Sequence, residues 1–402
     1  MSDAEPVKTA AKPPRPGFFG LDLLDNRYPA LHGLRVLAIL SVIQIHVTWD
    51  FHDYVNLHYP QWWVDRSYAV FFGMDCFFVL SGFLIGSILI RSIDTTGTQQ
   101  IRRFYLRRIF RTFPSYYVVL TILVFAFHLN AAQRAHLPYE YTYLTNFAPL
   151  GRNQVVMLWG WSLSLEEQFY LFVPLLFVIL RKLPTDRARV IFLALLALSG
   201  LASRLFVYWR GYPWEPIPFY ESIYFRTPTR FDSIVAGVLL AVVEARWGDR
   251  VAEFVKHPAR RAMLVLPALA CLWVLLYPEM FGEDHTHTQI THLFCWGTLT
   301  SVMYLCTVPI LLHGDGPITR ALSLPIWRRM ATLGYGVYLV HIPLLDHVVV
   351  PVALRAARHG VHLALVWLGT FAATIVLSFA VGYVMHVLIE KPSLRIREWL
   401  AA

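Results

Sequence analysis

The chain alternates long apolar runs with short polar connections. A run of about 20 apolar residues is what a helix needs to cross the hydrocarbon of a bilayer. Ten such runs predict spans near 31–49, 67–90, 113–129, 156–180, 190–209, 231–245, 262–280, 289–312, 331–352 and 361–389. The expected fold class is all-α, a polytopic transmembrane helical bundle of about ten transmembrane helices. An even number of crossings returns the C-terminus to the side where the N-terminus starts. The fifth and sixth spans are the least sharply bounded, because Arg204 sits near the end of one and the 231–245 run is short.

Composition agrees, since 56% hydrophobic and only 15% charged residues leave too little polar surface for a soluble globule. With the N-terminus in the cytoplasm, 26 of the 35 Lys and Arg fall in cytoplasmic segments and span ends and nine fall outside. That asymmetry is the positive-inside pattern, so both termini are expected in the cytoplasm. The net charge of +9 then faces anionic lipid and cytosol rather than nucleic acid. The expected location is multi-pass, in a bacterial inner (plasma) membrane. Residues 1–26 are polar and Pro/Ala-rich, with no apolar core or cleavage pattern of a signal peptide, and read as a disordered cytoplasmic tail. Residues 27–397 form the membrane domain and 398–402 a C-terminal tail. Cys76, Cys271, Cys295 and Cys306 lie in apolar stretches without CxxC spacing, which points to packing rather than to disulfides or zinc.

Arg35 and His46 share the first apolar run. Ionisable groups at membrane depth are costly and point to function. Eleven residues at ~100° each come within about 20° of three full turns, which puts the two side chains on one face some 16 Å apart. The competing structural reading has Arg35 snorkelling to the headgroups and His46 making an interhelical hydrogen bond.

Six strings converge on one family: Leu31-His-Gly-Leu-Arg35 followed by His46; Phe72-Gly-Met-Asp-Cys-Phe-Phe-Val-Leu-Ser-Gly-Phe-Leu-Ile85; Phe104-Tyr-Leu-Arg-Arg-Ile-Phe-Arg111; Trp161-Ser-Leu-Ser-Leu-Glu-Glu-Gln-Phe-Tyr170; Leu333-Gly-Tyr-Gly-Val-Tyr-Leu-Val-His341; and Glu390-Lys-Pro392. Over about 27–397 the chain resembles the acyltransferase 3 family of integral membrane acyltransferases. The resemblance implies a ten-helix domain that moves an acyl group, often acetyl, from cytoplasmic acyl-CoA to a hydroxyl of a glycan, lipid-linked sugar or glycosylated small molecule. His32 stands where the family usually has Asp. No soluble esterase-like domain follows residue 397, so a fused two-domain member is not expected.

Acyl transfer from a thioester to an alcohol needs a base for the hydroxyl proton, a donor for the developing oxyanion and a place for the CoA phosphates. His46, with an ordinary pKa of about 6.5, is the natural base. Asp75, Glu166 and Glu167 are expected in the outer halves of their spans, at the level of His46, where a carboxylate orients an imidazole and stabilises its protonated form. Glu166 matches the family string most closely. Arg108 and Arg111, three apart on one helix face, suit phosphate oxygens with their planar forks; together with Arg35 they form the expected acyl-CoA entrance. The catalytic candidates are thus His46, Arg35, Glu166 and Asp75, the acyl-CoA-binding candidates Arg108, Arg111 and Arg35, and a second tier is His341, Arg230 and Glu167. Pro343 removes the usual hydrogen bond to the Leu339 carbonyl, so a helix bend is expected beside His341. No metal and no tightly bound cofactor is expected; acyl-CoA, acetyl-CoA first, is a co-substrate.

Ser81, Ser162 and Ser164 are the candidates for a competing covalent acyl-enzyme. The outer loops 50–63 and 210–226 join aromatic rings to polar groups, which suits sugars and equally the membrane interface. Glu283-Asp-His-Thr-His287 has the composition of a metal site but lacks ligand spacing. The alternative function is a secondary transporter or permease for a polar or acidic solute, but no repeat relates 27–200 to 230–397, as such folds usually show.

Overall fold

In the computed structural model the described residues are 19–21, 23–54, 57, 59–93, 98–151, 153–277 and 285–401. Residues 1–18 of the expected tail, and Glu283 and Asp284, lie outside them. The helices longer than ten residues are α1 (Pro29–Trp49), α2 (Gly73–Ile93), α3 (Thr98–Ala126), α4 (Ala131–Tyr141), α5 (Gly160–Lys182), α6 (Asp186–Gly211), α7 (Asp232–Lys256), α8 (Pro258–Leu275), α9 (Thr300–His313), α10 (Pro325–Leu344), α11 (Leu363–Met385) and α12 (Lys391–Ala401). Among the described residues there is no strand, and nine helical segments are long and apolar enough to cross a membrane. The chain is a multi-pass integral membrane protein built as an all-α bundle. The expected sixth span lies in α7, which is not one of the nine. Asp232 opens its apolar stretch and Glu244 and Arg246 close it, and this helix is shielded by burial instead, with Asp232 to Val238 all buried.

Lipid tails are as apolar as Leu, so helices in a bilayer associate through close packing and polar contacts rather than through the hydrophobic effect. The α2–α7 pair shows both. Gly82 on α2 faces the Ile234 carbonyl of α7, and Gly237 on α7 faces the Val79 carbonyl of α2, so a side chain at either would strike backbone. One turn on, Gly86 faces Ala241. These small residues four apart let the two backbones touch, and the neighbouring polar side chains are drawn into the interior.

α1 packs between α2 and α10, and α10 in turn lies against α11. Both α1 and α10 pass into single π-turns, Asp50–Tyr54 and Leu345–Val349. A π-turn shifts the residues that follow it out of the α-helical register, a device common at functional sites. Residues 19–21 and 23–26 are tied to the bundle: Lys391 Nζ donates to the Gly20 carbonyl (2.5 Å), Arg328 Nε to that of Leu24 (2.6 Å), and His32 Nε2 meets the Asp25 carbonyl (3.0 Å). Residues 398–401 continue α12.

Candidate active site

The α1–α10 contact brings two histidines together. His46 Nδ1 lies 2.9 Å from the Val42 carbonyl, and His341 Nδ1 lies 2.6 Å from the Tyr338 carbonyl. A carbonyl only accepts, so each Nδ1 carries the hydrogen. His341 Nε2, 3.2 Å from His46 Nδ1, then accepts from that N–H. The arrangement fixes both tautomers and leaves the lone pair of His46 on Nε2. His341 does not serve the Leu339 carbonyl released by Pro343; the helix accommodates that proline by running on to Leu344 and widening into the π-turn. Behind the pair, the Tyr338 hydroxyl donates to the Trp159 carbonyl (3.1 Å) and lies 2.5 Å from Ser162 Oγ, locking α10 to the start of α5.

His46 lines a cavity of about 400 Å³ whose walls include Trp49, Asp50, Phe127, Trp159 and Asp346. Sequence reasoning had Asp50 only as part of the 50–63 loop and missed Asp346. Asp50 follows His46 by four residues, the spacing of one α-helical face, with its N–H bonded to the His46 carbonyl; Asp346 follows His341 by five and lies in the π-turn after it. Much of the rest of the wall comes from the 127–159 segment, which is stapled to itself, and the remainder from Leu123 and the 342–347 stretch. Asn130 and Gln133 form a reciprocal capping box on α4, and the Asn130 amide also donates to the Asn153 carbonyl (2.9 Å). Glu140, fully buried, accepts from the backbone N–H of Val156 (3.0 Å) and Met157 (2.6 Å). Burial pushes the Glu140 carboxyl above its ordinary value of 4.5, and the two N–H donors pull it part of the way back.

The basic end of the bundle holds the other cluster. Arg35, Arg108 and Arg111 lie close enough to repel one another. Arg108 stacks 4.8 Å from the Tyr170 ring. The Tyr170 hydroxyl donates to Glu166 Oε2 (3.1 Å) and lies 2.6 Å from Ser81 Oγ. Glu167 faces Thr112 and feels both Glu166 and Arg108. Glu390 attracts Arg111 and pairs with His386 (2.7 Å), bringing in the terminal Glu-Lys-Pro string. The expectation that Glu166 or Glu167 orients His46 is corrected here: α5 turns both carboxylates towards α2 and α3, where the arginines are. His32, at the position of the family's Asp, bonds the Asp25 carbonyl.

Asp75 is corrected in the same way. It sits 3.1 Å from Arg230, both fully buried, and accepts from Ser233 Oγ (2.6 Å). Arg230 also lies 4.7 Å from the Tyr224 ring. Beside this pair Arg204 binds Asp232 (2.8 Å), the Leu293 carbonyl (2.8 Å) and the Thr229 carbonyl (2.6 Å). Gly297 approaches Asp232 with φ +86°, where any side chain would be strained and would collide with that carboxylate. A charge buried at this depth is tolerated only when paired and hydrogen-bonded. The second-tier Arg230 and the catalytic candidate Asp75 are therefore each other's partners, holding α2 to the start of α7.

Residues 28–386 match the family model described as an acyltransferase domain. The chain is 25% identical over 333 residues to the peptidoglycan O-acetyltransferase OatA of Listeria monocytogenes, covering 79% of this chain and 49% of that protein. It is 28% identical over 340 residues to the Bacillus subtilis protein named "Putative peptidoglycan O-acetyltransferase YrhL", covering 80% and 49%. The chain thus spans about half the length of the curated relatives it matches. No solved structure matches it.

Proposed function

The chain belongs to the acyltransferase 3 family, and from that membership we propose that it is a membrane-bound O-acyltransferase, moving acetyl from acyl-CoA to a glycan hydroxyl with His46 as general base. The relatives named as peptidoglycan O-acetyltransferases support acetyl as the group and carbohydrate as the acceptor. The observation that carries the reading is the His46–His341 contact, which leaves the basic Nε2 on a ring that lines a cavity.

In this mechanism the acceptor hydroxyl enters the cavity and His46 Nε2 takes its proton. The oxygen attacks the thioester carbonyl, an ester C–O bond forms, the C–S bond breaks, and the imidazolium returns the proton to the departing sulfur. While His46 is charged, its Nδ1–H points at the Val42 carbonyl and at His341 Nε2, so the cation is stabilised without a carboxylate. Arg35, Arg108 and Arg111 hold the CoA phosphates at the basic end, in the cytoplasm by the charge asymmetry of the sequence. An extended pantetheine arm then carries the thioester along the face of α1 from Arg35 to His46, and the acceptor arrives from the other side. Ser81 and Ser162 are held by tyrosine hydroxyls and Ser164 is fully buried, which favours direct transfer over an acyl-enzyme.

The test is purified full-length protein in nanodiscs with isotopically labelled acetyl-CoA and peptidoglycan fragments or other oligosaccharides. Free CoA thiol should appear together with a labelled acetyl ester on the glycan, read by mass spectrometry. Absence of thiol release with every acceptor overturns the proposal.

A further inference from the structure

The cavity above His46 and the arginine cluster at the far end of α1 have opposite electrical character. Among the described residues lining the cavity there is no Lys or Arg; the ionisable ones are Asp50, Asp346 and the histidines His46, His128 and His347. The amides that would otherwise serve a ligand, those of Asn130 and Gln133, are engaged in the capping box and in bonds to the Asn153 and Val155 carbonyls. An ionised carboxylate only accepts, with room for about four hydrogen bonds, so each can hold a protein partner and still receive a ligand hydroxyl. Trp49 and Trp159 supply flat apolar walls, and Phe127 stacks on His347 at 4.0 Å and 19° at the rim. At about 400 Å³ the cavity is at the small end of the ~300–1,000 Å³ range of ligand sites, enough for a sugar ring rather than a threaded polymer.

We infer that this cavity is an acceptor subsite selective for an uncharged, polyhydroxylated ring, a neutral sugar residue, with Asp50 and Asp346 accepting hydrogen bonds from its hydroxyls and turning anionic sugars away. The inference rests on the proposed acyltransferase reading and goes beyond it by fixing the charge class of the acceptor. It also explains how the two substrates are kept apart: the phosphate-bearing donor is drawn to the arginines at one end of α1 and repelled by the carboxylates at the other.

The probes are methyl glycosides of glucose, galactose, mannose and N-acetylglucosamine, each beside its uronate counterpart. Binding to the full-length protein in nanodiscs is read by saturation-transfer NMR, and acetyl transfer from acetyl-CoA is read on the same samples. The wild type should prefer at least one neutral glycoside over its uronate by about tenfold or more, the effect expected of like charges meeting in a partly dehydrated site. The isosteric double variant Asp50→Asn, Asp346→Asn, checked for a monodisperse profile, should narrow that ratio to within about threefold. Single variants should fall between and serve if the double variant does not fold. A wild-type ratio near one, a ratio unchanged in the variants, or no binding of any neutral probe overturns the inference. Selective binding without transfer sinks the acyltransferase reading alone; transfer without selectivity sinks this inference alone.

Discussion

Nε2 of His341 lies 3.2 Å from Nδ1 of His46, and each ring turns its own Nδ1 to a backbone carbonyl of its own helix. His341 thereby stands to His46, the proposed base, as a carboxylate stands to the imidazole in the more familiar acid–base pairs, accepting the hydrogen bond that orients it.

Replacing His341 with Ala should lower kcat by roughly 10- to 100-fold while leaving the KM for acetyl-CoA unchanged, since positioning of a general base is worth part of the ~10²–10⁴ such groups supply. His341→Gln should recover part of the rate, because the amide oxygen accepts. Steady-state release of CoA thiol gives both constants. A raised KM at unchanged kcat would instead make His341 a substrate contact.

Arg108 and Arg111 are predicted to read the phosphates of the donor. Wild-type protein should use acetyl-CoA far more efficiently than acetyl-pantetheine, which lacks the phosphates. Each Arg→Ala change should remove about tenfold of that preference, the size of one charge-assisted hydrogen bond. Arg108→Lys should restore only some of it, since the ammonium keeps the charge but not the fork. An unaltered preference would place the donor elsewhere.

Asp75 and Arg230 are predicted to act on stability. Asp75→Asn leaves the Arg230 guanidinium buried without its counter-charge, a loss of about 3–5 kcal/mol for a pair of this kind. The double change Asp75→Asn, Arg230→Met should regain much of it. Thermal unfolding in mild detergent gives the comparison. Asp75→Asn with full stability and no transfer would return Asp75 to the chemistry.

Glu140 gives the stapled 127–159 segment a pH dependence. Its folded carboxyl is raised above 4.5 by burial, so the folded state holds the proton more tightly than the unfolded chain does. The resulting stabilisation is complete below the ordinary carboxylate range and is lost as pH rises through the raised value. Amide exchange in 127–159 should therefore show more frequent opening as pH increases from 4.5, after correction for the intrinsic exchange rate. Glu140→Gln should flatten the trend. An equal trend in the variant would assign the effect to another group.

Much of this was legible in the chain because it follows from local rules. Apolar length marks the spans, and the eleven-residue step puts Arg35 and His46 on one face of one helix. Arg108 and Arg111 join Arg35 because a single helix face and a common depth bring them there. The carboxylate partners were not legible, since depth along a helix says nothing about rotation about its axis: Glu166 and Glu167 turn to the arginines, and Asp75 turns to Arg230 across the close α2–α7 contact. Asp50 was legible only as part of the 50–63 loop, although it stands one helical turn past His46. Asp346 was hidden for a related reason: it enters the cavity through a π-turn, which a pattern of 3.6 residues per turn does not anticipate. The composition of α7, with Asp232, Glu244 and Arg246 at its margins, shows the limit of hydropathy: this helix is enclosed by its neighbours rather than by lipid.

The most direct test of the account is the His46→Ala variant, assayed separately for acetyl-CoA binding and for acetyl transfer to a glycan. Transfer should fall by about 10²–10⁴ while acetyl-CoA affinity stays at the wild-type value, because the proposed phosphate site lies three helical turns away at Arg35. Transfer at the wild-type rate would remove His46 from the chemistry, and loss of acetyl-CoA binding along with transfer would make it a structural residue.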